Sequence, residues 1–243
     1  MPSVSVAPTI TDGPAPSAAR LPTDGEFTYA TYNLERFFDT VNDPAIGEPV
    51  LTATAFENRL AKASLGIRNF LNAPDILGVV EVENLSTLQT LATRINADAV
   101  AAGQPNPQYV AYLLEGNDVG GIDVGFLVKT APVAAGTPRV EVVGSIVQLG
   151  KDATWNDPSS GPGTLLNDRP PLLMDAVVHY ADGRAFPITV IQVHQRSLNG
   201  AETDDAAASI FVGVTDADEI FAAARPFVKK VIDSGFLPGA PAK

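Results

Sequence analysis

The sequence predicts a mixed α/β (α+β) fold, with two β-sheets packed face to face and helices outside. Three observations carry that expectation. The run PDILGVVEVEN, residues 74–84, is apolar or Gly at five of the six positions from Ile76 to Glu81. Such a run reads as a central strand buried on both faces that delivers a carboxylate at its carboxyl end, where open α/β sheets place their chemistry. Around it the order is strand, helix, strand, helix. From Tyr109 onward strand-like runs dominate, and they end in a hairpin signal at Asp182-Gly183, whose residues supply the positive φ angles of a tight turn.

Residues 1–26 hold Pro2, Pro8, Pro14, Pro16 and Pro22 among Ala, Ser, Thr and Gly, and read as a linker arm. From Phe27 the pattern FTYATYN alternates with the period of a strand and closes on Asn33. Thr54 and Glu57 have the spacing of a capping box. Phe56, Leu60, Ala63, Ile67, Phe70 and Leu71 recur at helical spacing, so a helix is expected over 55–71, stopped by Asn72 and Pro74. The strand over 75–81 follows. Ser86 and Gln89 form a second such box ahead of Leu88, Leu91 and Ile95, which predicts a helix over 86–96. Further strands are expected at 109–114, 122–129 and 139–149, a loop at 150–167, and a hairpin of 171–180 with 186–194.

Composition excludes several classes. The 243 residues carry a net charge of −12, which argues against tight, electrostatically driven binding to nucleic acid. A phosphate substrate would have to be met through a metal ion and a few placed cations. The absence of Cys rules out disulfides, thiol nucleophiles and Cys-ligated zinc, and leaves the redox compartment open. No apolar run approaches the roughly 18 residues of a membrane helix, and no obligate protein partner is evident. MPSVSVAPTI has neither a basic region nor a long apolar core, so no secretory signal is expected in this chain.

Taken singly, Glu81 reads more readily as a strand simply closing on a polar residue. Five segments in sequence order change that reading. ATYNLERFFD, PDILGVVEVEN, IDVGFLVK, DRPPLLMDAVV and VIQVHQRSLNG together resemble the endonuclease/exonuclease/phosphatase superfamily, and most of all its bacterial extracellular-nuclease-like branch. The match covers about residues 27–200, leaving 201–243 as a divergent tail. The resemblance implies a four-layer sandwich of two mixed β-sheets flanked by helices, a divalent-metal-dependent phosphodiesterase acting on substrates such as DNA or RNA, and a secreted location.

Residue by residue, it implies the following. Glu81 matches the metal-binding Glu, and one carboxylate on a rigid strand suits Mg²⁺ or Mn²⁺, whose other ligands are water and phosphate oxygens. Asn33 matches the Asn that orients the metal and its phosphate ligand. Arg169 matches the Arg that approaches the substrate phosphate with a guanidinium fork. His194 matches the His that hydrogen-bonds the scissile phosphate. Asp123 stands where the family places a polar residue near the cleft, with Asp118 as the alternative acid. Glu83 is placed with Asn84 in the turn before the helix, on the solvent side, and His179 is read as structural or solvent-facing.

The departures are as informative. The family's later Gly-Asp-x-Asn and closing Ser-Asp-His motifs position the attacking water and complete the acid/base set. This chain has no Asn after Asn199 and no His after His194, so neither motif exists in it. Beyond Gly200 the text reads as an acidic loop, a short apolar run and a helix from about Asp216 interrupted at Pro226, and the fold is expected to be incomplete at its C-terminal end. Three functions stay open: a weak or inactive nuclease-like hydrolase, a catalytically dead fragment or binding domain, and a phosphatase acting on a small or lipid-linked phosphate.

Overall fold

The computed structural model describes residues 17–44, 46–157 and 161–194. The expectations for 1–16 and for the tail beyond 194 lie outside the described residues. Residues up to Ala153, with Leu166 to His194, form one compact unit; Thr154 to Leu165 belong to a second.

The first unit begins with β1 (Tyr29–Phe37), α1 (Ala53–Asn69), β2 (Ile76–Val82), α2 (Leu85–Ala101), β3 (Tyr109–Leu113) and β4 (Asp123–Lys129). The four strands make a mixed sheet in the order β1-β2-β4-β3, with β1 parallel to β2 and the other pairs antiparallel. The period-2 geometry of β2, covered on both faces, explains why its sequence is apolar or Gly from Ile76 to Val80. Leu77 and Val79 face one way, onto Leu60 and Ile67 of α1 and Leu88, Leu91 and Ile95 of α2. Ile76 and Val80 face the other way, with Phe126 and Val128 of β4.

The residues that meet this second face come from a second sheet. After a short hairpin of β5 (Pro132–Ala134) with β6 (Thr137–Pro138) come β7 (Val140–Val142) and β8 (Val147–Gln148). Where one strand is expected over 139–149, Gly144 at φ 72° turns the chain out, and the two halves pair separately with β11 (Leu172–His179). That strand forms the expected hairpin with β12 (Ala185–Gln192), in register from Leu172 opposite Gln192 to His179 opposite Ala185. Leu172, Met174 and Val178 complete the inter-sheet core.

The fold is therefore of the mixed α/β class, with helices on the outer face of the first sheet and the second sheet on its inner face. Two details differ from expectation. Among the described residues the second sheet is antiparallel throughout, and no helix covers its far side. In the second unit, β9 (Thr154–Asp157) and β10 (Gly161–Leu165) form a hairpin where a loop is expected.

Both helix starts lie ahead of the predicted capping boxes. Thr52, not Thr54, caps α1, its side chain accepting from Ala55 N at 3.2 Å. Glu57 instead pairs with Arg94 of α2. Asn84, not Ser86, caps α2, accepting from Thr87 N at 2.8 Å, while the Ser86 hydroxyl donates to the same Asn84 oxygen. The described part of the arm ahead of β1 is coil with a turn at Asp24 and Gly25, and it is held down where Ala19 N donates to Phe70 O at 2.7 Å.

Candidate functional site

The topology sets several chain ends side by side. Because β1 and β2 are parallel, their carboxyl ends are neighbours, and the antiparallel β4 starts beside them with Asp123 opposite Val82. In the second sheet, Arg169 precedes β11 and His194 follows β12 at one shared end. His194 Nε2 lies 3.4 Å from Glu81 Oε1, which joins the ends of the two sheets.

The backbone of Glu81 is unusual. Its φ is 62°, the left-handed region that L-residues avoid, and the pairing of β2 with β4 skips a residue between Val80 and Val82. This bulge takes the side chain out of the core-facing alternation and leaves it 19 % exposed. A matching irregularity sits in β1, where Glu35 and Arg36 are left-handed at φ 61° and 57°. It aims Arg36 N at Glu81 Oε2, 3.0 Å away.

Asn33 Nδ2 donates to Glu81 Oε1 at 2.9 Å, and its own oxygen accepts from Glu35 N at 2.7 Å. In this arrangement Asn33 fixes the carboxylate rather than presenting its oxygen to a separate ligand. Arg59 of α1 supports the same construction, donating to the carbonyls of Arg36 at 2.7 Å and of Glu35. Sequence reasoning passes over both arginines, since Arg59 reads only as the polar face of a helix and nothing periodic marks a strand bulge.

His194 is 15 % exposed, and its Nδ1 is buried without a hydrogen-bond partner. Burial pulls its pKa below the ordinary value and the charge of Arg169 adds to that, while Glu81 and Asp118 oppose. Asn33, Glu81, Arg169 and His194 thus share one end of the two sheets.

Asp123 is placed differently. It is buried, and its Oδ1 accepts from Gly116 N at 2.7 Å, pinning the loop after β3. Burial and the hydrogen bond to Glu115 push its carboxyl up to about 8. Asp118, whose Oδ2 accepts from Ile122 N at 3.2 Å, is the acid whose charge reaches His194.

Glu83 corrects the expectation of a solvent-side residue. It is only 1 % exposed, accepting from Asp39 N at 2.6 Å and from the Thr87 hydroxyl at 3.3 Å. The reason is the bulge. With Glu81 in the left-handed region, strand alternation restarts and Glu83 turns inward. Burial, with Asp39 and Glu48 nearby, raises its carboxyl above the ordinary range. His179 lies at the far end of β11, with Nε2 3.0 Å from Glu141 Oε2.

Among the described residues no three acidic or histidine side chains gather into a group that could hold a metal ion. At this end of the sheets Glu81 offers a carboxylate to a divalent ion. The donor chemistry fits such an ion, because Glu81 is a carboxylate whose Oε2 accepts a single N–H, from Arg36, while Oε1 accepts from Asn33 Nδ2 with His194 Nε2 3.4 Å away. No model of a known protein family matches the chain, and no curated protein matches it.

Proposed function

We propose that this chain is a divalent-metal-dependent phosphodiester hydrolase of the nuclease-like type, slow because part of its acid/base set is missing. The observation that supports this most is the strained, hydrogen-bonded placement of Glu81 with His194 Nε2 at 3.4 Å, at the meeting of two sheet ends. Backbone strain clusters at functional sites, and a carboxylate fixed from two sides is what a metal anchor needs.

In this reading Asn33 and Arg36 N hold the Glu81 carboxylate in one orientation. When bound, Mg²⁺ or Mn²⁺ would polarise a phosphoryl oxygen and lower the pKa of its water. Arg169 supplies positive charge to the phosphate. His194, whose burial favours the neutral ring, offers one N–H to a phosphoryl oxygen as charge develops there. No residue in this set positions the attacking water on the far side of phosphorus, since the chain has no Asn beyond Asn199 and no second site histidine. General acid/base assistance is worth about 10²- to 10⁴-fold, and turnover should fall short of a complete enzyme by that order.

The test is hydrolysis of bis-p-nitrophenyl phosphate and of DNA with Mn²⁺ and with EDTA. We expect slow turnover that requires the metal and is lost in both Glu81→Ala and His194→Ala. Equal rates with metal and with EDTA, or rates untouched by Glu81→Ala, would overturn the proposal. Robust metal-dependent turnover would show that other acids, such as Asp204, Asp205 or Asp216 outside the described residues, complete the site.

A further inference from the structure

Two carboxyl groups meet beside the candidate site. Asp123, the first residue of β4, is 4 % exposed, and its side chain is hydrogen-bonded to that of Glu115, an exposed residue of the loop after β3. Asp123 Oδ1 also accepts from Gly116 N at 2.7 Å. The charges that act most on Asp123 are those of Glu115 and Asp118, both acidic. Two carboxyl groups in hydrogen-bond contact stay together only when a proton lies between them.

The loop is wedged against the segment that carries Arg169. A Cβ on Gly116 would lie 2.4 Å from Asp123 Oδ1 and 3.1 Å from both Asp168 O and Pro170 Cδ, so Gly116 fills the gap between β4 and residues 168–170. Asn117 N donates to Asp168 O at 2.8 Å, and Asn117 Nδ2 donates to the carbonyls of Lys151 and Asn167 at 2.8 and 2.9 Å. Gln148 Nε2 donates to the carbonyls of Leu114 and Glu115 at 2.9 and 3.0 Å, and the Lys151 ammonium donates to the second of these. None of these ties titrates near neutrality, whereas the bond between Glu115 and Asp123 does. Of the other charged groups close by, Glu81 and Glu83 flank Val82, the β2 residue opposite Asp123, and the charge of Arg169 reaches His194.

We infer that the Glu115/Asp123 pair is a proton-held latch on the segment that carries Arg169, and that it sets the pH range over which the candidate site is assembled. With one proton shared, Gly116 stays in its wedge and Arg169 stays at the site. With both groups ionised, Glu115 turns to solvent, Gly116 leaves the wedge, and residues 167–170 lose the contacts that place Arg169. The regulation of the site rests on the reading above, in which Arg169 meets a phosphate; the latch itself does not. Burial and the bond to Glu115 raise the Asp123 carboxyl to about 8, whereas a free Asp or Glu gives up its proton at about 4. A raised carboxyl stabilises the closed form fully below the free value, and that advantage is lost as pH rises through the raised one. Opening therefore releases about one proton, and its equilibrium grows about tenfold per pH unit across this window before it flattens.

The experiment reads opening directly. Native-state hydrogen exchange of the Gly116 and Asn117 amides is followed from about pH 5 to about pH 9.5 and corrected for the intrinsic rise of exchange with pH, for the wild type, Asp123→Asn, Glu115→Gln and Asp182→Asn. Asn at 123 keeps an acceptor for Gly116 N and offers Glu115 an N–H that does not titrate, and Gln at 115 does the same toward Asp123. Asp182 is an exposed acid at the far hairpin, paired with Arg184, so its variant removes one negative charge away from the latch. In the wild type and in Asp182→Asn, protection of both amides should fall about tenfold per pH unit up to about pH 8 and then level off. In Asp123→Asn and Glu115→Gln that fall should flatten.

Wild-type protection that does not change with pH, or the wild-type fall retained in both Asp123→Asn and Glu115→Gln, would overturn the inference. Should Asp123→Asn fail to fold, Glu115→Gln alone decides it. Hydrolysis of bis-p-nitrophenyl phosphate with Mg²⁺ over the same pH range separates the two readings. A pH-dependent loss of protection without turnover at any pH would leave the latch standing and remove the hydrolase. Glu81-dependent turnover with protection indifferent to pH would do the reverse.

Discussion

Glu81 occupies a backbone conformation that costs an L-residue roughly 1–2 kcal/mol, at φ 62°. Strain of this kind persists only where surrounding structure holds it, and here Asn33 and Arg36 N do so through the carboxylate. The two contributions separate in a pair of variants. Glu81→Ala loses the carboxylate and keeps the Cβ in the left-handed region, whereas Glu81→Gly loses the carboxylate and the strain together. Both should lack metal-dependent turnover, and chemical denaturation should find Glu81→Gly the more stable of the two by about 1 kcal/mol. Equal stability would mean the left-handed backbone carries no strain. That Glu81, Asn33 and His194 come together is expected from the motif text and is what the structure has, but their conformation was not legible. A φ above zero at a non-Gly residue leaves no trace in composition or periodicity, and the inward turn of Glu83 follows from it.

At the scale of elements, apolar periodicity located both helices and the principal strands, because burial is what spaces those residues. Capping was harder to read. A Ser/Thr followed three residues later by Glu/Gln occurs at 54–57 and 86–89, yet each helix is capped two residues earlier, by Thr52 and Asn84. Any polar residue near a helix start can cap it, and the entry path of the chain decides which one does. For α2 that path is the end of β2, which leaves Asn84 extended, with φ −158° and ψ 178°. The difference is measurable in α1. Thr52→Ala removes the acceptor for Ala55 N and should cost about 1 kcal/mol in thermal or urea unfolding. Thr54→Ala, one residue inside the helix, should change stability by no more than a few tenths of a kcal/mol. The opposite ranking would restore the 54–57 box as the true cap. The division of 139–149 into β7 and β8 was likewise hidden, since the strand pattern is continuous and only Gly144 marks the break.

For the molecule as a whole, the relation between the two sheets matters most, because the candidate site exists only where their ends meet. Apolar packing supplies most of the contact, but one polar connection runs through it. Gln192, at the end of β12 and 3 % exposed, accepts from the Tyr29 hydroxyl at 2.7 Å and donates to Thr31 Oγ1 at 3.2 Å, both on β1. Gly78 of β2 makes room for it. A Cβ at that position would come within 1.9 Å of Gln192 Oε1 and 2.8 Å of the Tyr29 hydroxyl. In Gly78→Ala, therefore, Gln192 must swing away from Tyr29, its amide loses partners in a buried setting, and β12 shifts against β2 two residues before His194. Overpacking of this sort costs about 1–3 kcal/mol. Shortening the obstructing side chain tests whether the cost arises there: Gln192→Ala should destabilise alone, yet Gly78→Ala should add little to it, giving a favourable coupling of about 1 kcal/mol or more in the double-mutant cycle. Additive effects would place the strain of Gly78→Ala elsewhere in the first sheet. Because His194 follows Gln192 by two residues, Gly78→Ala should also lower the metal-dependent rate by more than its stability loss explains, when assayed well below the unfolding temperature.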